Sequence, residues 1–271
     1  MSNEAQTRPA IYEDTLADKQ FATTLARGLE ILRAFTPQEP MLGNKELSQR
    51  TGLPKATISR FTYTLTRLGY LRTMPAHNKY QLGSAVLSLS YPLLASMPLR
   101  QIARRAMNEL ADEVGGSVAM CIRDRLNIVF VETSRSHATF APQYTDIGFT
   151  HPIVATSVGS AYLAACTAGV RETILNEIRV KTPELWTRYR GALERNLKKF
   201  GKLGFCISTS YYRPDVLGVG VPLRHMLDGD IVVFSCLVHA QKYSPKEVEA
   251  VIGPRLVALV RNLEFSPGRP Y

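Results

Sequence analysis

The sequence predicts an α+β fold in two domains, a winged helix-turn-helix and, after a linker helix, a larger domain around an antiparallel sheet. Residues 44–82 have the order helix, tight turn, helix and hairpin. A further helical segment follows at 84–96, and from Ser117 the apolar period becomes that of strands separated by turns and helices. The resulting boundaries are 21–83 for the winged helix-turn-helix, 84–98 for the linker helix and 99–271 for the second domain.

A first helix over about 23–35 is predicted by apolar spacing, with a buried stripe of Leu25, Leu29 and Leu32. It packs behind the next two helices and completes a three-helix core. Residues 1–20 precede it. They are polar and lack periodicity, so we expect a mobile N-terminal arm.

The second and third helices are marked by residues that begin or end helices. Asn44 is a good N-cap for the second helix, and Gly52 ends it. Pro54 begins the third helix, because a first helical turn leaves its N–H groups unbonded and proline has none to lose. Gly69 ends this helix, and its predicted buried face, at helical spacing, is Ile58, Phe61, Leu65 and Leu68.

A wing and a linker complete the first domain. Strands over 70–74 and 79–82 form a hairpin. Ser84 is the predicted cap of a linker helix that ends near Ser96, and Pro92 should kink that helix because its ring disrupts the helical hydrogen bonding.

The second domain begins with a helix over 99–114 and continues with strands and helices in alternation. Its predicted strands are 117–123, 128–132, a weaker candidate at 139–144, 205–211, 218–223 and 231–239. Its other predicted helices are 157–167, 171–178, 183–200 and 244–263. Residues 231–238 are almost continuously apolar, which is typical of a central strand covered on both faces.

The third helix and its surroundings are strongly basic. Residues 44–79 contain seven Lys or Arg against one acid, Glu46. A helix fits the major groove of DNA, where Arg pairs with guanine and Ser or Thr with either base type, while flanking cations neutralise phosphates. We therefore predict a DNA-binding surface formed by Arg27, Lys45, Lys55, Ala56, Thr57, Ser59, Arg60, Tyr63, Arg67 and Lys79.

Within this surface, Arg60 and Tyr63 are predicted to read bases, whereas Lys55, Arg67 and Lys79 mainly contact phosphates. The alternative is a solvated basic helical hairpin in an unrelated domain. The short turn, the proline and the following hairpin favour DNA binding. The net charge of +10 likewise favours a polyanionic partner.

Several other classes of protein are excluded by residues that the sequence lacks. The four cysteines form no C-x-x-C pair and the five histidines have no metal-ligand spacing, so we predict no metal, no disulfide scaffold and no cofactor. No Gly-x-Ser-x-Gly elbow supports a hydrolase, and we predict no catalytic residues. No signal peptide or long apolar run occurs, so the expected location is the cytoplasm, without membrane binding.

Two features of the second domain favour a ligand, although each has an ordinary explanation. Thr156 and Ser157 precede a helix whose N–H groups would attract an anion, but they also serve as simple caps. Gly218 and Gly220 would let a ligand approach a strand closely, but a β-bulge explains them equally well.

The sequence resembles the IclR (isocitrate-lyase-regulator) family of bacterial transcription factors. The matching segments are TLARGLEIL from Thr24, ELSQRTGLPKATISR from Glu46, LGYL from Leu68, HPIVATSVGSAYLA from His151 and GFCISTSYYRPDV from Gly204. The resemblance implies that the second domain is a GAF-like effector and oligomerisation domain. It also implies a homodimer that pairs into a dimer of dimers.

The resemblance further implies an effector site lined by Phe140, Gln143, Ser157, Val158, Ser208, Val216, Gly218, Ser235 and Leu237. One departure concerns the loop after Gly204, where the family commonly has acidic residues and this chain has Ser208 to Tyr211. To this lining we add Thr156, for its place at the helix N-terminus, and Tyr144, which lies beside the site as Tyr211 and Tyr212 do.

We therefore predict a ligand-responsive regulator that binds a pseudo-palindromic operator and controls a catabolic operon. The predicted effector is a small organic acid, with an aromatic carboxylate favoured over a short keto acid, because helix N–H groups and aromatic side chains border the site. The alternatives are an enzyme with a nucleic-acid-targeting arm and an architectural DNA binder without an effector.

Overall fold

A computed structural model describes residues 19–136, 146–209, 214–224 and 230–264. The chain divides into a first unit that ends at Ser96 and a second unit that begins at Met97. The predicted strand 139–144 and most of the predicted arm 1–20 lie outside the described residues. No helix in those ranges combines the length and apolarity that a bilayer span requires.

The first unit is a winged helix-turn-helix, as predicted. Its elements are α1 Thr23–Arg33, α2 Asn44–Thr51, α3 Lys55–Arg67, β1 Leu71–Met74, β2 Lys79–Leu82 and α4 Ala85–Ala95. The strands β1 and β2 pair antiparallel. A 3-10 turn over Pro75–His77 joins them, and Asn78 closes it with a φ of 51°, a backbone conformation that asparagine tolerates better than most residues.

The predicted buried stripe of α1 is wrong in two of its three positions. Leu25 and Leu29 are 65% and 48% exposed, whereas Ile31 is fully buried and Leu32 packs partly against the core. A Cβ placed on Gly28 would lie 3.7 Å from the Phe61 ring, so α1 approaches α3 along a different stripe. The helix has two apolar stripes, and the core buries the one that contains Ile31.

Leu68 is also exposed, at 61%, against the prediction that it completes the buried face of α3. The helix ends at Arg67, and Gly69 turns the chain away with a φ of 79°. Thr62 takes the inward position instead and is fully buried. Its hydroxyl donates to the Ile58 carbonyl at 2.9 Å, which satisfies the only polar atom of the side chain.

Two predicted caps differ from the observed ones. Gly43, not Asn44, is the N-cap of α2, because Gly43 has the extended backbone that a cap requires and Asn44 is already helical. The Gly43 N–H donates to the Glu46 carboxylate at 3.2 Å. Ser84 precedes α4 with helical dihedral angles, so its side chain makes no cap hydrogen bond.

The second unit is built on one antiparallel sheet. Its helices are α5 Pro98–Val114, α6 Ser157–Ala165, α7 Ala168–Lys181, α8 Pro183–Leu203, α9 Pro245–Glu247 and α10 Gly253–Glu264. Its strands are β3 Ser117–Asp124, β4 Asn127–Arg135, β5 Thr150–Pro152, β6 Cys206–Thr209, β7 Val216–Pro222 and β8 Val233–His239. Among the described residues the strand order is β5-β4-β3-β8-β7-β6, which places β8 in the interior of the sheet, as its apolar sequence predicts.

The two faces of this sheet carry different layers. On one face, Phe130 packs into a core with residues of α6, α7 and α8. A register shift between Met120 and Cys121 adds one residue to β4 between Phe130 and Glu132. Phe130 pairs with Cys121 and Glu132 with Met120, and neighbouring residues of a strand point to opposite faces, so Phe130 and Glu132 do too. On that other face, Glu132 forms ion pairs with Arg100 and Arg104 of α5.

Candidate functional site

The outer face of α3 presents the residues predicted to contact DNA. Lys55, Ala56, Ser59, Arg60, Tyr63 and Arg67 are exposed, and Thr57 is half-buried beside them. The side chains of Lys55, Arg60 and Arg67 make no ion pair within the part of the chain that the structure describes. Arg27 on α1 and Lys45 on α2 are exposed as well. The helix therefore offers uncompensated positive charge together with side chains that can contact base edges.

The basic residue of the wing is less available to DNA than the sequence suggests. Lys79 Nζ lies 3.0 Å from a Glu46 carboxylate oxygen, while the other oxygen of Glu46 accepts the Gly43 N–H. The hydrogen bond from Lys79 is the largest cause that lowers the pKa of Glu46 below its usual range. Arg50 is likewise engaged, since it donates to the Ala34 carbonyl at 2.7 Å and pairs with Glu39. Part of the positive charge counted in the sequence is thus neutralised within the domain.

In the second unit, a small cavity lies between the sheet and the start of α6. Its volume is about 40 Å³. Most of the predicted effector residues line it, namely Thr156, Ser157, Val158, Ser208, Val216, Ser235 and Leu237. The predicted Phe140, Gln143 and Tyr144 lie outside the described residues, as do Tyr211 and Tyr212.

Gly218 holds this cavity open. A Cβ on Gly218 would lie 2.8 Å from Leu237 Cδ2 and 2.9 Å from the Oγ atoms of both Ser157 and Ser208. Two hydroxyls therefore converge over a strand position that has no side chain. At Gly220, a Cβ would lie 2.5 Å from the Ser157 carbonyl oxygen, so the start of α6 rests directly on β7.

The pairing of β7 excludes a bulge, one of the two explanations that the sequence offers for its glycines. Gly218 and Gly220 pair in continuous register with Ser208 and Cys206 on one side and with Leu237 and Ser235 on the other. No bulge occurs at either glycine, so close approach of α6 and of the serine hydroxyls is their structural reason.

Thr156 acts as a cap, which was the ordinary explanation offered for it. Its backbone is extended, and its Oγ1 accepts the Gly159 N–H at 3.1 Å. Ser157 and Val158 follow it in the first turn and are both buried. The first turn of α6, with its positive dipole end, thus borders the cavity.

Ala155 also lines the cavity, next to the predicted Thr156, and two further lining residues, Phe130 and His151, were missed by sequence reasoning. The ring centroid of His151 lies 5.5 Å from that of Phe130, edge to face, and 5.1 Å from that of Phe149. These residues form an aromatic wall within the described part of the domain. The inward position of Phe130 on β4 was the one available signal, since it follows from strand alternation.

A larger cavity of about 160 Å³ lies between α8 and β6, beyond Ala155 and Thr156. We consider it the weaker ligand site because its polar groups are already engaged. Asn196 donates to Ser160 Oγ and to the Ile207 carbonyl, and it accepts the Ile207 N–H, all at 3.0–3.1 Å. Lys199 and Glu249 form an ion pair at 3.6 Å beside its opening.

No arrangement for metal binding or thiol chemistry accompanies the cavity. Within the described ranges, no group of three His, Cys, Asp or Glu side chains is placed to bind a metal ion. All four cysteines are buried as free thiols. Burial raises the pKa of Cys206 and of Cys236 to about 12, so both thiols stay protonated at neutral pH.

Comparison with known sequences finds two domains of one family in this chain. Residues 24–75 match the IclR helix-turn-helix domain, and residues 92–263 match the domain described as bacterial transcriptional regulator IclR C-terminal. The HTH-type transcriptional regulator TsaQ1/TsaQ2 of Comamonas testosteroni is 34% identical over 251 residues, which span 91% of this chain and 90% of the relative.

Solved structures of the same fold include relatives named as regulators rather than enzymes. An IclR family transcriptional regulator from Brucella abortus has a TM-score of 0.84 and 39% identity, over 97% of this chain and 98% of that chain. An IclR homolog from Microbacterium hydrocarbonoxydans, complexed with 4-hydroxybenzoate, has a TM-score of 0.66 and 22% identity, over 90% and 100% of the two chains. The protein described here belongs to the IclR family, whose members are transcriptional regulators with an N-terminal DNA-binding domain and a C-terminal effector domain.

Proposed function

We propose that the protein binds a pseudo-palindromic operator as a dimer or dimer of dimers, controls a catabolic operon and responds to a small aromatic carboxylic acid. The observation that carries the effector assignment is the cavity over Gly218. Two serine hydroxyls, the first turn of α6 and the aromatic wall of Phe130 and His151 converge there. Such a combination suits a ligand with one anionic group and one apolar ring.

The size of the cavity favours a small ligand. Its volume of about 40 Å³ is room for about three water molecules, so even a single-ring acid would have to displace side chains, and a larger ligand would have to displace more. The relative complexed with 4-hydroxybenzoate supports the same class of effector. A short keto acid would leave the aromatic wall without a partner, which is why we place it second.

Dimerisation is supported by the apolar surface of α4. Leu87, Leu89, Tyr91 and Leu93 are each more than half exposed. They follow one another at alternate positions, so Leu87 and Tyr91 lie on one side of the helix and Leu89 and Leu93 on the nearly opposite side. A group of exposed apolar side chains of this kind marks an interaction site. A second copy of the chain would cover it and would present two DNA-binding domains to two half-sites.

In the proposed complex with DNA, Arg60 and Tyr63 read bases, and Lys55 and Arg67 contact phosphates. Lys79 reaches a phosphate only by giving up its ion pair with Glu46. Its contribution to affinity should therefore be smaller than that of Lys55. This difference refines the sequence prediction, in which both residues were equal phosphate contacts.

The DNA assignment is tested by comparing two variants that each remove one positive charge. Arg60→Ala should weaken binding to an operator selected from random DNA by about 1–3 kcal/mol and relax the preference at one base pair. Lys198→Ala on the exposed face of α8 is the control and should leave binding unchanged. Equal losses for Arg60→Ala on operator and on random DNA would show that Arg60 contacts only phosphate.

The effector assignment is tested by thermal stabilisation and by release of the selected operator. Benzoate-type acids should raise the melting temperature and change operator affinity, because the ligand must favour one of two states of the protein. Pyruvate and glyoxylate serve as the aliphatic comparison. A response to the short keto acids alone would exclude the aromatic class. Unchanged operator affinity with every acid would favour an architectural DNA binder.

A further inference from the structure

Three buried polar atoms on one face of the sheet lack a hydrogen-bond partner among the described residues. One of them belongs to the cavity lining, and the other two lie farther along the same face. They are Arg135 Nε on β4, Ser117 Oγ on β3 and Ser235 Oγ on β8. Ser117 and Ser235 are each only 1% exposed. Buried polar groups are nearly always bonded, so three unbonded donors close to one site require an explanation.

The register of the sheet places these atoms on the same face as the cavity. Residues directly opposite each other in antiparallel strands point to the same face. Arg135 pairs with Ser117, and Ser117 pairs with the cavity residue Leu237. Leu237 pairs with Gly218, and Gly218 with Ser208. One row thus runs across five strands from Arg135 to Ser208.

A second row lies beside the first. Ala119 pairs with Ser235, and Ser235 pairs with Gly220. Because alternate residues of one strand share a face, Ser235 is next to Leu237 on β8, and Ser117 is next to Ala119 on β3. The two orphaned hydroxyls therefore lie diagonally across neighbouring strands, with Ser235 in the wall of the cavity and Ser117 between Arg135 and the cavity residue Leu237.

Arg135 is held at the rim of this arrangement. One guanidinium nitrogen pairs with Asp146, and the side chain is 34% exposed. Its Nε nevertheless is buried and unbonded. One nitrogen of the guanidinium group is thus held by Asp146, while the Nε–H donor of the same group is shielded from water. A charged donor is about twice as effective as a neutral one in binding an acceptor.

The spacing of the row defines the kind of ligand. The row has two polar ends. One is formed by Ser208 of β6 and by Ser157 of α6, whose hydroxyl lies over Gly218 of β7, and the other by Arg135 of β4 and Ser117 of β3. The backbones of β7 and β4 are about 14 Å apart, three strand spacings. The side chains of Arg135 and Ser157 occupy part of this distance, and Leu237 provides an apolar floor between them. One ring with polar groups at opposite ends would span the remaining distance once the side chains beside the cavity move to admit it.

We propose that Arg135, assisted by Ser117, is a specificity-determining residue that binds a second acceptor group on the aromatic acid, opposite the carboxylate near α6. This inference rests on the proposed effector function and narrows it to ring acids with an acceptor at both ends, such as a hydroxyl, a carboxylate or a sulfonate. Benzoate, which has one polar end, leaves the three donors unbonded and should be a poor ligand.

The test measures the affinities of the full-length protein for benzoate, 4-hydroxybenzoate and terephthalate. The wild-type protein should prefer the two acids with polar groups at both ends by about tenfold or more. Arg135→Gln should bring the three affinities close together while benzoate binding stays the same. Arg123→Gln, which removes an exposed arginine from β3, is the matched control and should keep the preference.

Ser117→Ala provides a second variant whose folding is not at risk. Removing an unbonded buried hydroxyl should leave the melting temperature of the free protein unchanged or higher. The same variant should lose severalfold in affinity for 4-hydroxybenzoate. A purely structural role of Ser117 would instead lower the melting temperature and leave the preference among acids intact.

The possible failures separate this inference from the proposed function. Tight binding of all three acids, with the same ranking in Arg135→Gln as in the wild type, would overturn the role of Arg135 and keep the aromatic effector. Binding of none of the three acids by the wild-type protein would overturn the effector class and the role of Arg135 together.

Discussion

Replacing Glu132 by glutamine should strongly destabilise the C-terminal domain. Glu132 is 3% exposed, and its carboxylate lies 2.9 Å from an Arg100 nitrogen and 3.0 Å from an Arg104 nitrogen. The Arg100 side chain is 14% exposed, so water screens its ion pair with Glu132 only weakly. Arg104 is 57% exposed, and water can replace its share of the interaction.

The size of the expected loss of stability follows from the burial of the Glu132–Arg100 ion pair. Removing one partner of a buried ion pair costs about 3 kcal/mol, because little water can reach the remaining charge to replace the lost interaction. For a domain of this size, such a loss lowers the melting temperature by about 6–12 °C. Thermal unfolding followed by circular dichroism, supported by a urea midpoint, measures the change. A constant urea slope would show that the change is one of stability and not of the unfolded state.

Glu109→Gln is the matched control on the same helix as Arg100. Its partner is Arg105, at 2.9 Å, and the two side chains are 65% and 91% exposed. Solvent screens such a pair, so the melting temperature should change by less than about 1 °C. Equal shifts for Glu132→Gln and Glu109→Gln would refute the argument that burial sets the strength of the Glu132 cluster.

Two further substitutions test the cavity and the wing. Gly218→Ala should abolish stabilisation by the effector, because the new Cβ would lie within 2.9 Å of Ser157 Oγ, Ser208 Oγ and Leu237 Cδ2. The control is Gly169→Ala, which has open space around it and should leave the ligand response unchanged. Glu46→Gln should raise affinity for random DNA and steepen its salt dependence by about one unit, since it releases Lys79 from its ion pair. The same variant should flatten the acid dependence of stability. The pKa of Glu46 is lowered by folding, so the stability it adds is present above about pH 4.5 and is lost as pH falls through its folded value. Acid unfolding curves of wild type and variant that stay parallel from pH 6 to pH 3 would contradict this sign.

The elements of the first domain could be predicted largely because local residues fix them. Gly52 and Gly69 mark helix ends because each has a positive φ, which few other residues tolerate, and Pro54 marks a helix start because its missing N–H costs nothing there. The inward face of α1 could not be predicted in the same way. Leu25 and Leu29 are as apolar as Ile31, and only the packing of α3 against Gly28 decides which stripe is buried.

The candidate ligand site was predictable in part, through the resemblance of short segments to known relatives. Ser157, Ser208 and Leu237 came from that resemblance, and all three line the cavity. Ser117 and Arg135 carried no such signal. Their place on the face of the site depends on β3 pairing with β8, which joins residues more than 100 positions apart, and no local pattern reveals that contact.

The four buried thiols can report how often the C-terminal domain opens locally. Cys121 and Cys236 are fully enclosed in the native sheet, on opposite faces of it, and burial raises the pKa of both. A thiol reagent therefore reacts only when a segment of the domain separates from its neighbours, and the labelling rate measures how often that happens. Conversely, a cysteine introduced at an exposed position such as Lys198 would react alone. A single fluorophore could then be attached for studies of DNA and effector binding without removing any native cysteine.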